Sequence, residues 1–152
     1  MARFPRAGSV EWIGLRPHYR ASIEAVQAAH AVSGFGLTGD HSAIKGGGKR
    51  QVTLIQAEHL AAVARMLGRD AIDPALLRRN IVVAGINLLA LRDREFRIGN
   101  VVLLGTGPCA PCSRMEEALG PGGLNAMRGH GGVTASIVTS GTIRLGDPVQ
   151  PT

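Results

Sequence analysis

A chain of 152 residues with 45% hydrophobic composition has the length of one domain and enough apolar surface for a real core. No window reaches the roughly 18 apolar residues of a membrane span, and the opening MARFPRAGSVEWIG lacks a signal peptide's apolar stretch, so a cytoplasmic protein without membrane partners is expected. The net charge of +6 rests on fifteen arginines and two lysines that are scattered rather than clustered, and aromatics are only 3%; this argues against a nucleic-acid platform and for a small phosphorylated ligand gripped by arginine forks.

In chain order, SVEWIGLRP reads as a first strand ended at Pro17, expected to pair with the C-terminal end. ASIEAVQAAHAVS carries Ile23, Val26 and Ala29 or His30 at helical spacing, with Gly34 and Gly36 as stop signals, which predicts a helix of about three turns. GFGLTGDHSAIKGGGKR is too glycine-rich for regular structure and reads as a ligand-facing loop. It is not a P-loop, because Gly48-Lys49 is followed by Arg50 where a magnesium-binding hydroxyl is required.

QVTLIQ alternates as a strand should, and AEHLAAVARMLG places Leu60, Val63, Ala64 and Leu67 on one helical stripe that closes at Gly68. Asp73 and Pro74 give a cap and a first helical position before the strand IVVAGIN. RDREFRIG, NVVLLGTG, GVTASIVTSG and TIRLGDPV supply further strands. A short helix is expected over Ser113 to Leu119, broken at Gly120-Pro121-Gly122-Gly123. Strands outnumber helices and lie too close together for regular βαβ crossovers. The predicted class is therefore α+β and β-rich, a barrel-like antiparallel core with two or three peripheral helices.

Both cysteines lie in GTGPCAPCSRMEEALG, as Cys109-Ala-Pro-Cys112. A thioredoxin pair would precede a long helix near the first strand, and this one does not. A structural zinc site needs two more ligands, and the five histidines show no paired spacing. A single reactive thiol is a further reading. Cys112 stands at the predicted helix start, where free backbone N–H groups and the neighbouring Arg114 favour a thiolate. The alternative is a small buried hydrophobe. Cys109 is open between filler, resolving thiol and redox protection.

Five blocks, GFGLTGDH, KRQVTLIQAEHL, LRRNIVVAGINLLAL, FRIGNVVLLGTGPCAPCSRMEEALG and MRGHGGVTASIVTSGTIRLGDPV, occur here in the order in which the MOSC domain family carries them. The resemblance spans about Val10 to Val149 and is to the small bacterial members consisting of this domain alone. It implies a single domain with a β-barrel-like fold that binds molybdenum cofactor or handles sulfur for it. The family cysteine lies in a Pro-Cys-x-x-Leu/Met context, which Pro111-Cys112-Ser113-Arg114-Met115 matches, so the resemblance makes Cys112 the catalytic thiol and molybdenum ligand.

The same blocks single out further residues. Asp40 and His41 are candidate catalytic groups, with an Asx turn as the alternative for Asp40. Lys49 and Arg50 are candidates to grip a phosphate, or else solvated loop charges. Arg78, Arg79 and Asn80 are read as cofactor-binding, one arginine turned inward to the pterin phosphate and Asn80 to a pterin edge, with at least one arginine left on the surface. Arg128, Gly129 and His130 form a nest-like loop able to approach an anion, with a plain loop histidine as the alternative. His59 reads as a helix-face residue.

The function this implies is reduction of N-hydroxylated compounds by molybdenum cofactor (molybdopterin), with Cys112 on the metal. Two other readings stand beside it. One is a sulfur carrier with a persulfide on Cys112; the other is a binding module that holds the cofactor without turnover. Larger members add a pyridoxal-phosphate desulfurase or electron-transfer domains, so a separate sulfur- or electron-donor protein is expected as partner.

Overall fold

The computed structural model, which describes residues 3–152, is a closed barrel with three helices. Its strands are β1 (Gly8–Leu15), β2 (Glu24–Val26), β3 (Ala28–Val32), β4 (Gly36–Leu37), β5 (Val52–Gln56), β6 (Ile81–Ala84), β7 (Glu95–Ile98), β8 (Val101–Pro108), β9 (Val133–Thr139), β10 (Gly141–Arg144) and β11 (Pro148–Pro151). The helices are α1 (Ala57–Met66), α2 (Ser113–Leu119) and α3 (Gly123–Met127). The barrel runs β11-β7-β8-β9-β5-β6-β1 and closes where Gly8 and Ser9 pair with Val149 and Pro148. The first strand thus meets the C-terminal end, as its sequence suggests. A separate three-stranded sheet, β10-β3-β4, lies beside it.

Burial explains why β5 has no exposed residue. Leu54 points into the barrel core with Ile13, Ile81, Phe96 and Leu103, whereas Ile55 faces a second core under the helices with Leu60, Val63, Leu77, Met115 and Met127. Val82 of β6 joins that second core while Ile81 and Val83 face the first. Both faces of these two strands are covered, so β6 reads as a continuous apolar run, while β5 buries Thr53 and Gln56 with hydrogen-bond partners.

Three expectations are corrected. The helix expected over ASIEAVQAAHAVS is instead β2 and β3. Ala29 and Ala31 are buried and Ala28 and His30 exposed, a period of two imposed by pairing with β10 from Gly141↔Ala31 to Arg144↔Ala28. Alanine carries no strong period of its own, so the available sheet edge decides. Second, the core is not wholly antiparallel: β5 and β6 run parallel, joined through α1 and a 3-10 turn at Pro74–Leu77. Third, the glycine run after α2 interrupts the chain for only one turn, and Gly122 at φ 88 starts α3, a helix the sequence reading lacked. No helix among the described residues is long and apolar enough to cross a membrane.

Candidate functional site

One mouth of the barrel gathers the end of β1, the start of β5 and the residues just ahead of β6. A cleft there is lined by Arg16, Asp40, Ser42, Arg50, Thr53, Arg78 and Asn80 among others. Four predicted residues, Asp40, Arg50, Arg78 and Asn80, therefore converge on it from segments far apart in the chain.

Each wall has a local cause. Asp40 is buried and caps the 3-10 turn His41–Ala43. Its Oδ1 accepts from the Arg16 amide at 2.8 Å, and its Oδ2 accepts from the Ser42 hydroxyl, so it ties the end of β1 to the loop. The His41 amide also donates to the Arg16 carbonyl at 2.6 Å. Asn80 clamps three strands: its Oδ1 accepts from the Thr53 amide at 3.1 Å, and its Nδ2 donates to the Gly14 carbonyl at 3.1 Å. This is the paired buried amide that a low-dielectric interior requires.

The arginines differ. Arg16 Nη1 is buried with no hydrogen-bond partner, and among the described residues no carboxylate forms an ion pair with Arg16, Arg50 or Arg78. A buried guanidinium donor left unpaired costs free energy until an acceptor arrives. The cleft therefore carries a surplus of positive charge suited to an anion.

Behind it, Arg79 is 3% exposed and spends its fork on main-chain oxygens. Nε donates to Gly131 at 2.7 Å, Nη1 to Leu77 at 2.9 Å and Nη2 to Cys109 at 3.4 Å. Burial pulls its pKa down, Cys109 pushes it back up, and Arg50 and Cys112 also lie close enough to act on it. Arg79 thus braces the cysteine loop. Gly131 and Gly132 let the opposite loop pass beneath it: a Cβ on Gly131 would overlap the Cys109 carbonyl, and one on Gly132, at φ +89, the Leu54 carbonyl.

The two cysteines are unlike. Cys109 is 1% exposed, with its amide donating to Gly132 at 2.8 Å, whereas Cys112 is exposed at the N-cap of α2 and its side chain caps nothing. We expect a thiol reagent to modify one cysteine per native chain quickly, and Cys109 at least about a thousandfold more slowly, because it reacts only through opening of the fold. Peptide mapping that found both labelled at similar rates would contradict this burial.

The other predicted residues do not line this cleft. Lys49 is exposed and offers its carbonyl to the Thr106 hydroxyl at 2.5 Å. His41 sits 6.0 Å from the Tyr19 ring, centre to centre. Arg128 and Gly129 are exposed, and His130 packs edge-on against His59 at 4.7 Å. Burial and His130 together push the His59 pKa down. No group of three His, Cys, Asp or Glu side chains comes together among the described residues. The sequence reading missed Arg16, Ser42 and Thr53 as cleft walls; none sits in a local pattern that marks it.

The family profile described as MOSC domain matches residues 41–150. The chain is similar in structure to the YuaD protein of Bacillus subtilis, at 18% identity and a TM-score of 0.80 over 94% of each chain. It is also similar to YiiM of Escherichia coli, at 18% identity and a TM-score of 0.72, covering 97% of this chain and 70% of that one. YiiM of Geobacillus stearothermophilus gives 15% identity and a TM-score of 0.77, over 95% and 75%. No curated protein matches the sequence. At these identities the structural likenesses establish the fold.

Proposed function

This chain belongs to the MOSC domain family, and from that premise we propose that it binds molybdenum cofactor and reduces N-hydroxylated compounds, with Cys112 as the metal's protein ligand. The observation that carries the reading is the unpartnered, buried Arg16 Nη1 in a cleft shared with Arg50 and Arg78 and without an ion-paired carboxylate. Such a cleft fits the phosphate of the cofactor, and an exposed cysteine sulfur fits a soft metal. When bound, the cofactor supplies a two-electron couple and an acceptor for oxygen.

The residues have separable tasks. Arg16, Arg50 and Arg78 neutralise the phosphate. Asn80 and Thr53, locked to each other, hold the wall rigid. Arg79 braces the loop from which Cys112 projects, and Asp40 fixes the turn that walls the cleft. Overall, the N–O bond of the substrate breaks as two electrons and two protons are taken up, and the products are the parent N–H compound and one water. A separate donor protein supplies the electrons.

The test is molybdenum per chain by elemental mass spectrometry, on protein purified anaerobically from a host that makes the cofactor. Near-stoichiometric metal is expected. Its absence, with cofactor supply in the host confirmed, overturns the proposal, and sulfur-sized mass additions on Cys112 would then support the sulfur-carrier role.

A further inference from the structure

The strands that wall the cleft have a second cavity at their opposite ends. Thr53 of β5 and Asn80 just ahead of β6 face the cleft, whereas Gln56, which ends β5, and Gly85 and Ile86, just past β6, line a separate cavity of about 460 Å³ together with the segment before β1. The two have no lining residue in common. The apolar walls of the second cavity are Phe4, Pro5, Ile86 and Ala90. Ile86 is buried in the barrel core and Phe4 packs against the same core, so an apolar body seated here would extend the interior of the barrel and leave water behind.

The polar groups on its walls fall into two sets. Three acceptors serve the protein itself: Gln56 Oε1 accepts from the Leu88 amide at 2.8 Å, Asn87 Oδ1 from the Leu89 amide at 3.2 Å and Glu58 Oε2 from the Gly85 amide at 2.8 Å. Burial acts to raise the Glu58 pKa, but the backbone donors and the Gln56 side chain bring it below the ordinary glutamate value, so the carboxylate stays ionised and tied to the turn after β6. Arg3 and Arg6 form the other set. Both are exposed, and among the described residues neither forms an ion pair with a carboxylate. Arg6 reaches across the cavity wall, its Nη2 only 3.6 Å from where a Cβ on Gly85 would stand. The Phe4 ring between these two arginines in the chain lies under the Arg94 guanidinium, 5.2 Å from its centre, which holds that wall in place.

We propose that this cavity is a binding site for a small apolar monocarboxylate, separate from the cofactor cleft. The apolar body lies against Phe4, Pro5, Ile86 and Ala90, and Arg6, with Arg3 beside it, receives the carboxylate. Mostly apolar walls with a few polar groups that fix orientation are the general form of a small-molecule site. The unspent groups at the rim are donors, and a guanidinium fork matches a carboxylate in shape as well as charge. Two arginines against one glutamate leave a surplus of one positive charge on the walls. That suits a monoanion, whereas a phosphate dianion would leave negative charge uncompensated beside Glu58. The site stands whether or not the opposite cleft holds the cofactor.

The experiment is displacement of anilinonaphthalene sulfonate, a fluorescent aromatic body with one anionic end, from the full metal-free chain by decanoate. Decanol, which keeps the body without the charge, and acetate, which keeps the charge without the body, are the controls. Decanoate should displace the dye saturably at about tenfold lower concentration than decanol, and acetate should not displace it. Arg6→Gln should weaken decanoate about tenfold, as loss of one charge-assisted contact does, and leave decanol unchanged. Ala90→Trp should abolish decanoate binding, because Ala90 is exposed on the cavity wall and a large ring there fills the cavity without entering the core.

No displacement by decanoate, or decanoate binding that survives Ala90→Trp, would overturn the site. Equal potency of decanoate and decanol, an Arg6→Gln variant that binds decanoate as wild type does, or tighter binding of decyl phosphate would overturn the monocarboxylate as its ligand. Arg50→Gln, in the opposite cleft, should leave decanoate binding unchanged, and a loss there would overturn the separateness of the two. Since no measurement in this set involves molybdenum, its failure and that of the cofactor reading are told apart.

Discussion

Replacing Cys112 with alanine is expected to strip molybdenum from the chain, lowering metal per protein at least about tenfold, while Cys109→Ala retains it. Losing a ligand's supporting contact commonly weakens metal sites ten- to a hundredfold, and removing the ligand itself should do no less. The asymmetry follows from placement. Cys112 is exposed at the head of α2, with no hydrogen bond from its side chain, so its truncation leaves no cavity and the melting temperature should hold. Cys109 is enclosed, and its loss should be felt in stability through a small void rather than in metal content. Metal retained in Cys112→Ala, measured beside an unchanged melting curve, would remove the thiol from the site.

Arg79→Met should give the largest loss of stability among the site residues. The substitution keeps much of the bulk but removes the donors to three carbonyl oxygens, those of Gly131, Leu77 and Cys109. An orphaned buried acceptor costs about 1–3 kcal/mol. Against this, the mutant no longer buries a charge that has no carboxylate beside it, and burial already pulls the Arg79 pKa down. A net loss of about 3 kcal/mol lowers the melting temperature of a chain this size by roughly 6–12 °C. The same variant frees the loop above, so Cys109 should become reactive toward thiol reagents in the folded state. Arg79→Lys tests the geometry: an ammonium keeps the charge but not the planar fork, and should recover only part of the loss. If Arg79→Met melts with wild type and keeps Cys109 protected, the brace is not what holds the cysteine loop.

These expectations depend on contacts that are unequally visible in the sequence. Asp73 with Pro74, and the stripe from Leu60 to Leu67, declare a turn and a helix because the signals lie within one or two turns of each other. Ser113–Leu119 is likewise marked by Met115 and Leu119 four residues apart, both buried against the second core. Ala28–Val32 shows the opposite case. Its alanines favour a helix by intrinsic propensity, and pairing with the edge of β10 overrides that preference. The α3 turn was hidden because Gly120, Pro121 and Gly122 read as a terminator, although Gly122 in the left-handed region simply starts a new helix.

By itself the sequence determined the β-rich class, the pairing of first and last strands, most element positions, and through five ordered blocks the MOSC family. Those are properties of local period, turn chemistry and motif order. Which arginines act together was decided only by the tertiary structure. It turned Arg79 onto backbone carbonyls while leaving Arg16, Arg50 and Arg78 without ion-pair partners among the described residues around a cleft, and it set Arg20 and Arg114 about Tyr19. Fifteen arginines are alike as letters. Their roles depend on burial and on which acceptors the closed barrel brings within reach, and those acceptors belong to residues far away in the chain.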